Sequence, residues 1–191
     1  MPDLVPDPVS PLAGRQSRSF VTVRDAGPVG MVTLRGDLGS EVFQRTVGEV
    51  AGVFLPEQGR IAEDGDRGLA WMSPDELLLI LPHAEAAGAA EQLSEAMSGE
   101  HFMAVEVSDA RAVIAVEGAG LREVLAKLSP VDMHPDAFPV GRMRRTHLGQ
   151  VAAAFWLSSE DRATVICFRS VADYAFGLLA QSAKDGPVGV F

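Results

Sequence analysis

Cysteine, lysine and long apolar runs are scarce in this 191-residue sequence, and each scarcity removes a class of protein. Cys167 is the only cysteine, which excludes an internal disulfide framework and a zinc site built from several cysteines. Lys127 and Lys184 are the only lysines, and neither completes a phosphate-binding P-loop. The longest strongly apolar run, residues 77–81, is far shorter than the ~20 residues that span a bilayer. We therefore expect no membrane partner.

Basic charge is also in deficit, because 26 acidic residues stand against 16 basic ones and the formal net charge is −10. Phosphate backbones repel such a chain, so we expect no nucleic-acid partner. The N-terminal residues lack the basic and continuous apolar segments of a secretory signal, which predicts a cytoplasmic protein. The imbalance is concentrated in residues 1–100, with 7 basic and 16 acidic residues, so the first half could face a basic partner surface.

Apolar content, by contrast, is in excess. Hydrophobic residues make up 47% of the chain and 19 glycines of 191 residues add about a tenth. The sum lies above the ~45–50% of a typical soluble domain. This composition excludes overall disorder and indicates apolar surface that a partner covers.

Strand and helix signals follow one another in the same order in each half of the chain. The first half has a strand at 31–35, a helix from Ser40 with Phe43, Val47, Val50 and Phe54 on one face, a hairpin at 69–81 and a helix at 84–97. The second half has strands at 103–107 and 111–116, a helix after Gly120, strands within 142–168 and a helix from Ser170.

The repeat can be measured as a sequence offset. Residues 71–76 (WMSPDE) match residues 156–161 (WLSSED) at an offset of 85, and the last helices of the two halves match at 86. We predict an α+β fold of two related β-α-β-β-α halves that share one core, with Trp71 and Trp156 at equivalent positions.

The predicted domain organisation follows from that repeat. Residues 1–20 are expected to form an extended, Pro-rich N-terminal arm. Residues 21–191 form a single α+β domain of two pseudo-repeats, at about 28–100 and 103–185.

Catalytic motifs are missing or incomplete. Gly118 and Gly120 follow a strand and open a helix, but Glu123 stands where the third glycine of a dinucleotide-binding turn belongs. The sequence contains neither a G-x-S-x-G nor an H-E-x-x-H motif. Cys167 lies in an apolar run and is interpreted as a buried, inert thiol. No catalytic, cofactor-binding or metal-binding residue is assigned.

Two polar clusters remain open to interpretation. Asp132 and His134 could ligate a metal, although loop capping by these side chains explains them better. Arg111 lies between two strand segments and reaches a carboxylate, either from its own chain or from a partner, or else binds a carboxylate ligand.

Four stretches, in order along the chain, resemble the gamma-subunit family of heterotetrameric sarcosine oxidases. They are residues 71–79 (WMSPDELLL), 107–113 (VSDARAV), 129–139 (SPVDMHPDAFP) and 168–174 (FRSVADY). This family is distantly similar to the folate-binding domain of the glycine-cleavage aminomethyltransferase, which implies a fold of two related halves.

The resemblance implies a non-catalytic structural or assembly subunit of a complex that oxidatively demethylates sarcosine to glycine in one-carbon metabolism. Its partners would be the alpha, beta and delta subunits, and the implied FAD, FMN, NAD and tetrahydrofolate would lie in those chains. One alternative is a stand-alone folate-binding aminomethyltransferase-like protein, with Asp109 or Asp132 holding the pterin. A second is a regulatory module for an acidic metabolite, based on Arg111 and an arginine cluster at 142–145.

We expect the partner to cover the N-terminal arm and the loop at 132–140, because both are rich in proline and carry apolar side chains that short loops bury poorly. The predicted interface residues are Leu4, Val5, Leu12, Met133, His134 and Phe138.

Overall fold

The computed structural model describes residues 7–191, in which eleven strands and four helices form two stacked sheets with helices on both outer faces. The strands are β1 Gln16–Arg18, β2 Thr22–Asp25, β3 Gly30–Arg35, β4 Ile61–Asp64, β5 Arg67–Ser73, β6 Glu76–Leu81, β7 Met103–Glu106, β8 Arg111–Glu117, β9 Met143–Leu148, β10 Val151–Ser159 and β11 Arg162–Phe168. The helices are α1 Glu41–Ala51, α2 Ala86–Ala96, α3 Leu121–Ala126 and α4 Ala172–Lys184. The predicted α+β class is confirmed. No helix in the described residues is both long and apolar enough to cross a membrane.

The two sheets exchange strands: β2 comes before the first sheet's β3 but joins the second sheet, and β7 comes before the second sheet's β8 but joins the first. The first sheet has the order β4-β5-β6-β3-β7, and the second has the order β1-β2-β8-β11-β10-β9. β2 precedes β3 in the chain but pairs with β8, and β7 precedes β8 but pairs with β3. The sequence places β7 in the second half, whereas the structure places it in the sheet of the first. Strand pairing is non-local, so order along the chain did not determine it.

Three buried apolar clusters fill the interior, rather than the single core that the sequence predicts. One lies between the first sheet and helices α1 and α2, and one lies between the second sheet and helices α3 and α4. The third lies between the two sheets. In β6, Leu77, Leu79 and Leu81 face the helices, whereas Leu78 and Ile80 face the second sheet. Burial of both faces explains why this strand is apolar at every position.

Helix α1 begins and ends at the residues that favour helix termini. Ser40 accepts a hydrogen bond from the Phe43 backbone N–H at 3.4 Å, and Gly52 ends the helix in a left-handed conformation with φ of 71°. Phe54 therefore lies beyond the helix, with 91% of its surface exposed. Its predicted place on the buried helix face is wrong, because the Gly52 cap turns the chain away.

The two tryptophans are one residue out of register with each other. Ser73 and Ser159 both occupy the last strand position before a hairpin turn. Trp71 lies two residues before Ser73, so its counterpart is Leu157 and not Trp156. Trp71 packs with the helices and Trp156 lies between the sheets, since a shift of one residue reverses the face of a strand. The predicted equivalence of the tryptophans is therefore wrong by one position.

The described part of the predicted N-terminal arm is folded onto the second sheet. β1 pairs with β2, and Leu12 is buried in the cluster beside α3 and α4. The Ser10 hydroxyl donates to Asp25 at 2.7 Å, and Asp25 also accepts from the Gly14 N–H at 2.8 Å. These contacts turn the chain back at residues 10–14, so residues 7–20 do not form an extended arm.

Candidate functional site

A cleft opens between the two sheets near the start of β6 and β8 and the end of β11, with a volume of about 70 Å³. We call it the inter-sheet cleft and define it by its polar lining and aromatic rim: Thr33, Glu76, Arg111, Arg145, Cys167 and Phe168. The floor is aliphatic. The sheets separate here because charged side chains replace the apolar residues that join them elsewhere.

One buried carboxylate neutralises two arginines in this cleft. Glu76 accepts hydrogen bonds from Arg35 at 2.7 Å and from Arg145 at 3.4 Å, and its side chain is 8% exposed. A buried carboxylate is tolerated only when it is paired in this way. The charge of Glu76 is therefore already shared between two cations.

Arg111 lies in the same cleft without a counter-ion of its own. Its Nε is buried and donates to no acceptor within residues 7–191. The guanidinium lies over the Phe168 ring, 4.3 Å from its centroid, in a cation–π contact. Burial lowers the pKa of Arg111, and the charge of Glu76 opposes that shift only in part. Arg111 is thus a half-buried cation that the fold leaves incompletely compensated.

Cys167 forms part of the cleft wall but is not activated. Burial raises the pKa of its thiol to about 11, and the positive charge of Arg111 opposes this only weakly. At neutral pH the thiol is protonated, and the thiolate is the nucleophilic form. The structure agrees with the interpretation of Cys167 as a buried, inert thiol.

We expect Cys167 to react with iodoacetamide at pH 8 about 100-fold more slowly than an unshielded cysteine. Its pKa of about 11 compares with an ordinary value of 9.0, and each pKa unit lowers the thiolate fraction tenfold. Mass spectrometry of the intact chain over time measures the rate, and the unfolded chain in denaturant is the control. Equal rates for the folded and unfolded chain would contradict the assigned burial.

The opposite mouth of the sheet–sheet interface holds a second polar group, beside a pocket of about 320 Å³. Trp156 Nε1 donates to Glu63 Oε1 at 2.9 Å, and the Ser158 hydroxyl donates to the same oxygen at 3.2 Å. Glu117 pairs with Arg24 at 2.8 Å, and this bond lowers the pKa of Glu117. Glu63 and Glu117 therefore have partners within the chain.

The predicted interface residues are mostly interior. Leu12, Met133 and Phe138 are buried in the second sheet's helix-side cluster, so the expectation that they are exposed to a partner is wrong. His134 is exposed, with 56% of its side chain accessible. Leu4 and Val5 lie outside the described residues.

Arg122 is the reason that the loop at 132–140 packs inward. Its guanidinium donates to the Met133 carbonyl at 3.0 Å and the Phe138 carbonyl at 2.8 Å, and it pairs with Glu160 at 2.8 Å. The side chain of Arg122 is 7% exposed. Sequence reasoning missed this residue, because a basic residue on a short helix gives no signal that it holds a distant loop.

The polar residues of that loop cap backbone groups. Asp132 accepts from the His134 N–H at 2.9 Å, and His134 Nδ1 accepts from the Asp136 N–H at 3.3 Å. This is the capping interpretation made from the sequence. Within residues 7–191, no three His, Cys, Asp or Glu side chains are grouped closely enough to hold a metal ion.

Glu123, which replaces the third glycine of a nucleotide-binding turn, has a structural contact instead. Its carboxylate accepts backbone hydrogen bonds from residues 188–191 at 2.8–3.1 Å. These bonds lower the pKa of Glu123. The acidic side chain therefore anchors the C-terminal residues to α3.

The acids considered for pterin binding do not lie in the inter-sheet cleft. Asp109 is 85% exposed at its side chain, 3.8 Å from His83 Nε2, and Asp132 is also exposed. Asp109 shares with Arg111 only a second pocket of about 10 Å³, which is too small for a pterin, and Asp132 lines neither pocket. Of the sequence-predicted polar residues, Arg111 and Arg145 are the pair that meets in a cleft.

A groove between α1 and β4 has a volume of about 950 Å³. Phe54 lies beside Val53 and Leu55 on its wall, and Arg45 and Glu49 line the opposite side.

Solved structures share this double-sheet fold. The chain superposes with TM-score 0.81 and 26% identity on a chain of "Heterotetrameric Sarcosine Oxidase from Corynebacterium sp. U-96 in complex with pyrrole 2-carboxylate", covering 92% of this chain and 94% of that one. It also superposes on aminomethyltransferase T of the Bartonella henselae glycine cleavage system, with TM-score 0.59 and 14% identity, over 84% of this chain and 48% of that one. The fold is therefore of the aminomethyltransferase-like class.

The sequence comparisons narrow this class to one family. A sequence model of the sarcosine oxidase, gamma subunit family matches residues 35–185. The gamma subunit from Arthrobacter sp. is 36% identical over 71% of this chain and 60% of its own length. The gamma subunit from Corynebacterium sp. (strain P-1) is 32% identical over 78% of this chain and 73% of its own length. The chain belongs to the sarcosine oxidase gamma subunit family.

Proposed function

We propose that this chain is a non-catalytic gamma subunit of a heterotetrameric sarcosine oxidase, and that it serves the assembly of the complex. The observation that carries the proposal is the family match over residues 35–185. The match spans all four helices, the eight strands from β4 to β11 and the last residue of β3. A relative of the same fold is a chain of a heterotetrameric enzyme. The reaction of the complex would be oxidative demethylation of sarcosine to glycine.

The chemistry of the inter-sheet cleft supports a structural role. Its one thiol is held protonated, and its one carboxylate is held as the counter-ion of Arg35 and Arg145. A general base or nucleophile needs a free lone pair on a group whose pKa lies near the working pH. The pKa of Cys167 lies too high, and the lone pairs of Glu76 are engaged by hydrogen bonds from two arginines.

The other chains of the complex would carry its chemistry. We propose alpha, beta and delta subunits as the partners, with FAD, FMN, NAD and tetrahydrofolate bound in those chains. We place the assembled enzyme in the cytoplasm.

The test compares the chain alone with the chain co-expressed with the alpha, beta and delta subunits. A tag on this chain should retain all three partners, and the retained complex should oxidise sarcosine. The isolated chain should show neither sarcosine oxidation nor retention of tetrahydrofolate in equilibrium dialysis. Stoichiometric folate binding by the isolated chain would instead favour the aminomethyltransferase-like alternative.

A further inference from the structure

Arg111 is an uncompensated cation in a protein whose net charge is −10. Within residues 7–191 it takes part in no ion pair, although ten of the other arginine and histidine side chains do so. Its Nε is buried and unpartnered. His83 Nε2 and Arg142 Nε also lack a hydrogen-bond partner in the described part of the chain, so what distinguishes Arg111 is its position in a cleft beside a second arginine. A buried donor without an acceptor costs free energy, and an acceptor from a partner would remove that cost.

The charges around Arg111 favour an anion. Arg35, Arg111 and Arg145 surround the single carboxylate of Glu76, which is hydrogen-bonded to the other two arginines. Arg35 is also paired with Asp75 at 3.3 Å, so the two arginines that line the cleft, Arg111 and Arg145, stand against the single carboxylate of Glu76 and leave the cleft with one net positive charge. A carboxylate matches the planar fork of an arginine with two parallel hydrogen bonds.

The size of the cleft favours a carboxylate at the end of a short side chain. Its volume is about 70 Å³, whereas pockets that enclose small-molecule ligands usually measure ~300–1,000 Å³. A carboxylate group with one or two methylenes fits the smaller space. A whole metabolite does not.

The rim of the cleft is apolar and exposed. Phe168 is 48% exposed, and Val105 on the edge strand β7 is 44% exposed. Val105 is the cross-strand partner of Thr33, which lines the cleft, so both side chains lie on the same face of the first sheet. Met103, two residues before Val105, extends this face beside Arg35. Apolar side chains beside an arginine would exclude water from it once a partner covers them, as the neighbours of an interface hot spot do.

We propose that the inter-sheet cleft receives an aspartate or glutamate side chain of a partner subunit, bound by Arg111 and Arg145. Phe168, Val105 and Met103 pack around it against the apolar surface of that subunit. This inference rests on the proposed function, and it names the surface that the assembled enzyme covers.

The experiment uses the Arg111→Gln variant, co-expressed with the alpha, beta and delta subunits. We expect its affinity for the partner subunits to fall about 30-fold or more, because it leaves a desolvated carboxylate without its cation. Arg111→Lys should recover part of that loss, since it keeps the charge without the planar fork. Arg18→Gln is the matched control, because Arg18 is exposed on the edge strand β1. It should assemble like the wild type.

Thermal unfolding of the isolated chain distinguishes a docking role from a structural one. Arg111→Gln should leave Tm unchanged or higher, because it removes an unpaired buried charge. Arg122→Gln should lower Tm by roughly 5 °C or more, because it frees two buried carbonyls.

Two results would overturn the proposal while leaving the proposed function intact. One is assembly of Arg111→Gln with wild-type affinity. The other is a fall in Tm for Arg111→Gln as large as that for Arg122→Gln, which would make Arg111 a structural residue. Failure of the wild-type chain to assemble at all would overturn the proposed function, and this inference with it.

Discussion

Replacing Phe138 by alanine is expected to lower the free energy of unfolding of this chain by about 3–5 kcal/mol. The ring is fully buried and packs edge-to-face against Phe155, with their centroids 5.4 Å apart. Its backbone carbonyl accepts from Arg122, so the loop cannot easily collapse into the space that the ring leaves. Chemical denaturation of the isolated chain, followed by circular dichroism, measures the loss.

Val140→Ala on the same loop is the control for this prediction. Val140 is partly exposed, and substitutions of exposed residues usually change stability by less than about 0.5 kcal/mol. A small effect of Phe138→Ala on the isolated chain, together with a large effect on assembly, would restore the original hypothesis that this side chain contacts a partner.

Replacing Trp156 by alanine is expected to cost about 3–5 kcal/mol, and more than the same change at Trp71. Trp156 is buried between the two sheets, and its Nε1 donates to Glu63 at 2.9 Å. Its removal leaves a cavity at the contact between the two sheets and takes away the shorter of the two hydrogen bonds that Glu63 accepts. Trp71 is only partly buried, on the helix side of the first sheet, so we expect a loss of about 1–3 kcal/mol there.

The comparison of the two tryptophans tests the register of the repeat. Leu157, the structural counterpart of Trp71, provides the matched third variant, and Leu157→Ala should cost about 2–5 kcal/mol because its side chain is fully buried. Equal losses at Trp71 and Trp156 in denaturant titrations would favour the equivalence first read from the sequence, and would contradict the one-residue offset.

Much of the fold could be predicted because local signals agree with it. The hairpin of β5 and β6 follows from a Pro-Asp turn between apolar runs, and the structure confirms it. The cap at Ser40 marks the start of α1. The offset of 86 between the last helices holds between α2 at Ala86 and α4 at Ala172.

The remaining features depend on contacts between distant parts of the chain. The pairing of β7 with β3 is one, since nothing within residues 103–106 specifies which sheet they join. The inward packing of Met133 and Phe138 is another, because it depends on Arg122 in a different element. A proline-rich loop suggests a surface, and the sequence offered no sign of the arginine that draws it inward.

Only part of the inter-sheet cleft could be predicted from the sequence. Arg111 was singled out as a carboxylate-binding residue, and the structure leaves it without an acceptor among the described residues. The sequence grouped Arg145 with Arg111 in one alternative but did not connect Glu76 to them, because Glu76 lies on β6 in the first sheet whereas Arg111 and Arg145 lie on β8 and β9 in the second. Only the stacking of the sheets brings the three together.

Native mass spectrometry of the four co-expressed chains shows whether this chain is a stoichiometric subunit. We expect a single complex that contains one copy of this 20.2 kDa chain with one copy each of the alpha, beta and delta subunits. Collisional release of this chain should leave the other three masses unchanged. The contrary result is a complex of the alpha, beta and delta subunits alone, with this chain as a separate monomer or homo-oligomer. That spectrum would contradict its assignment as a gamma subunit.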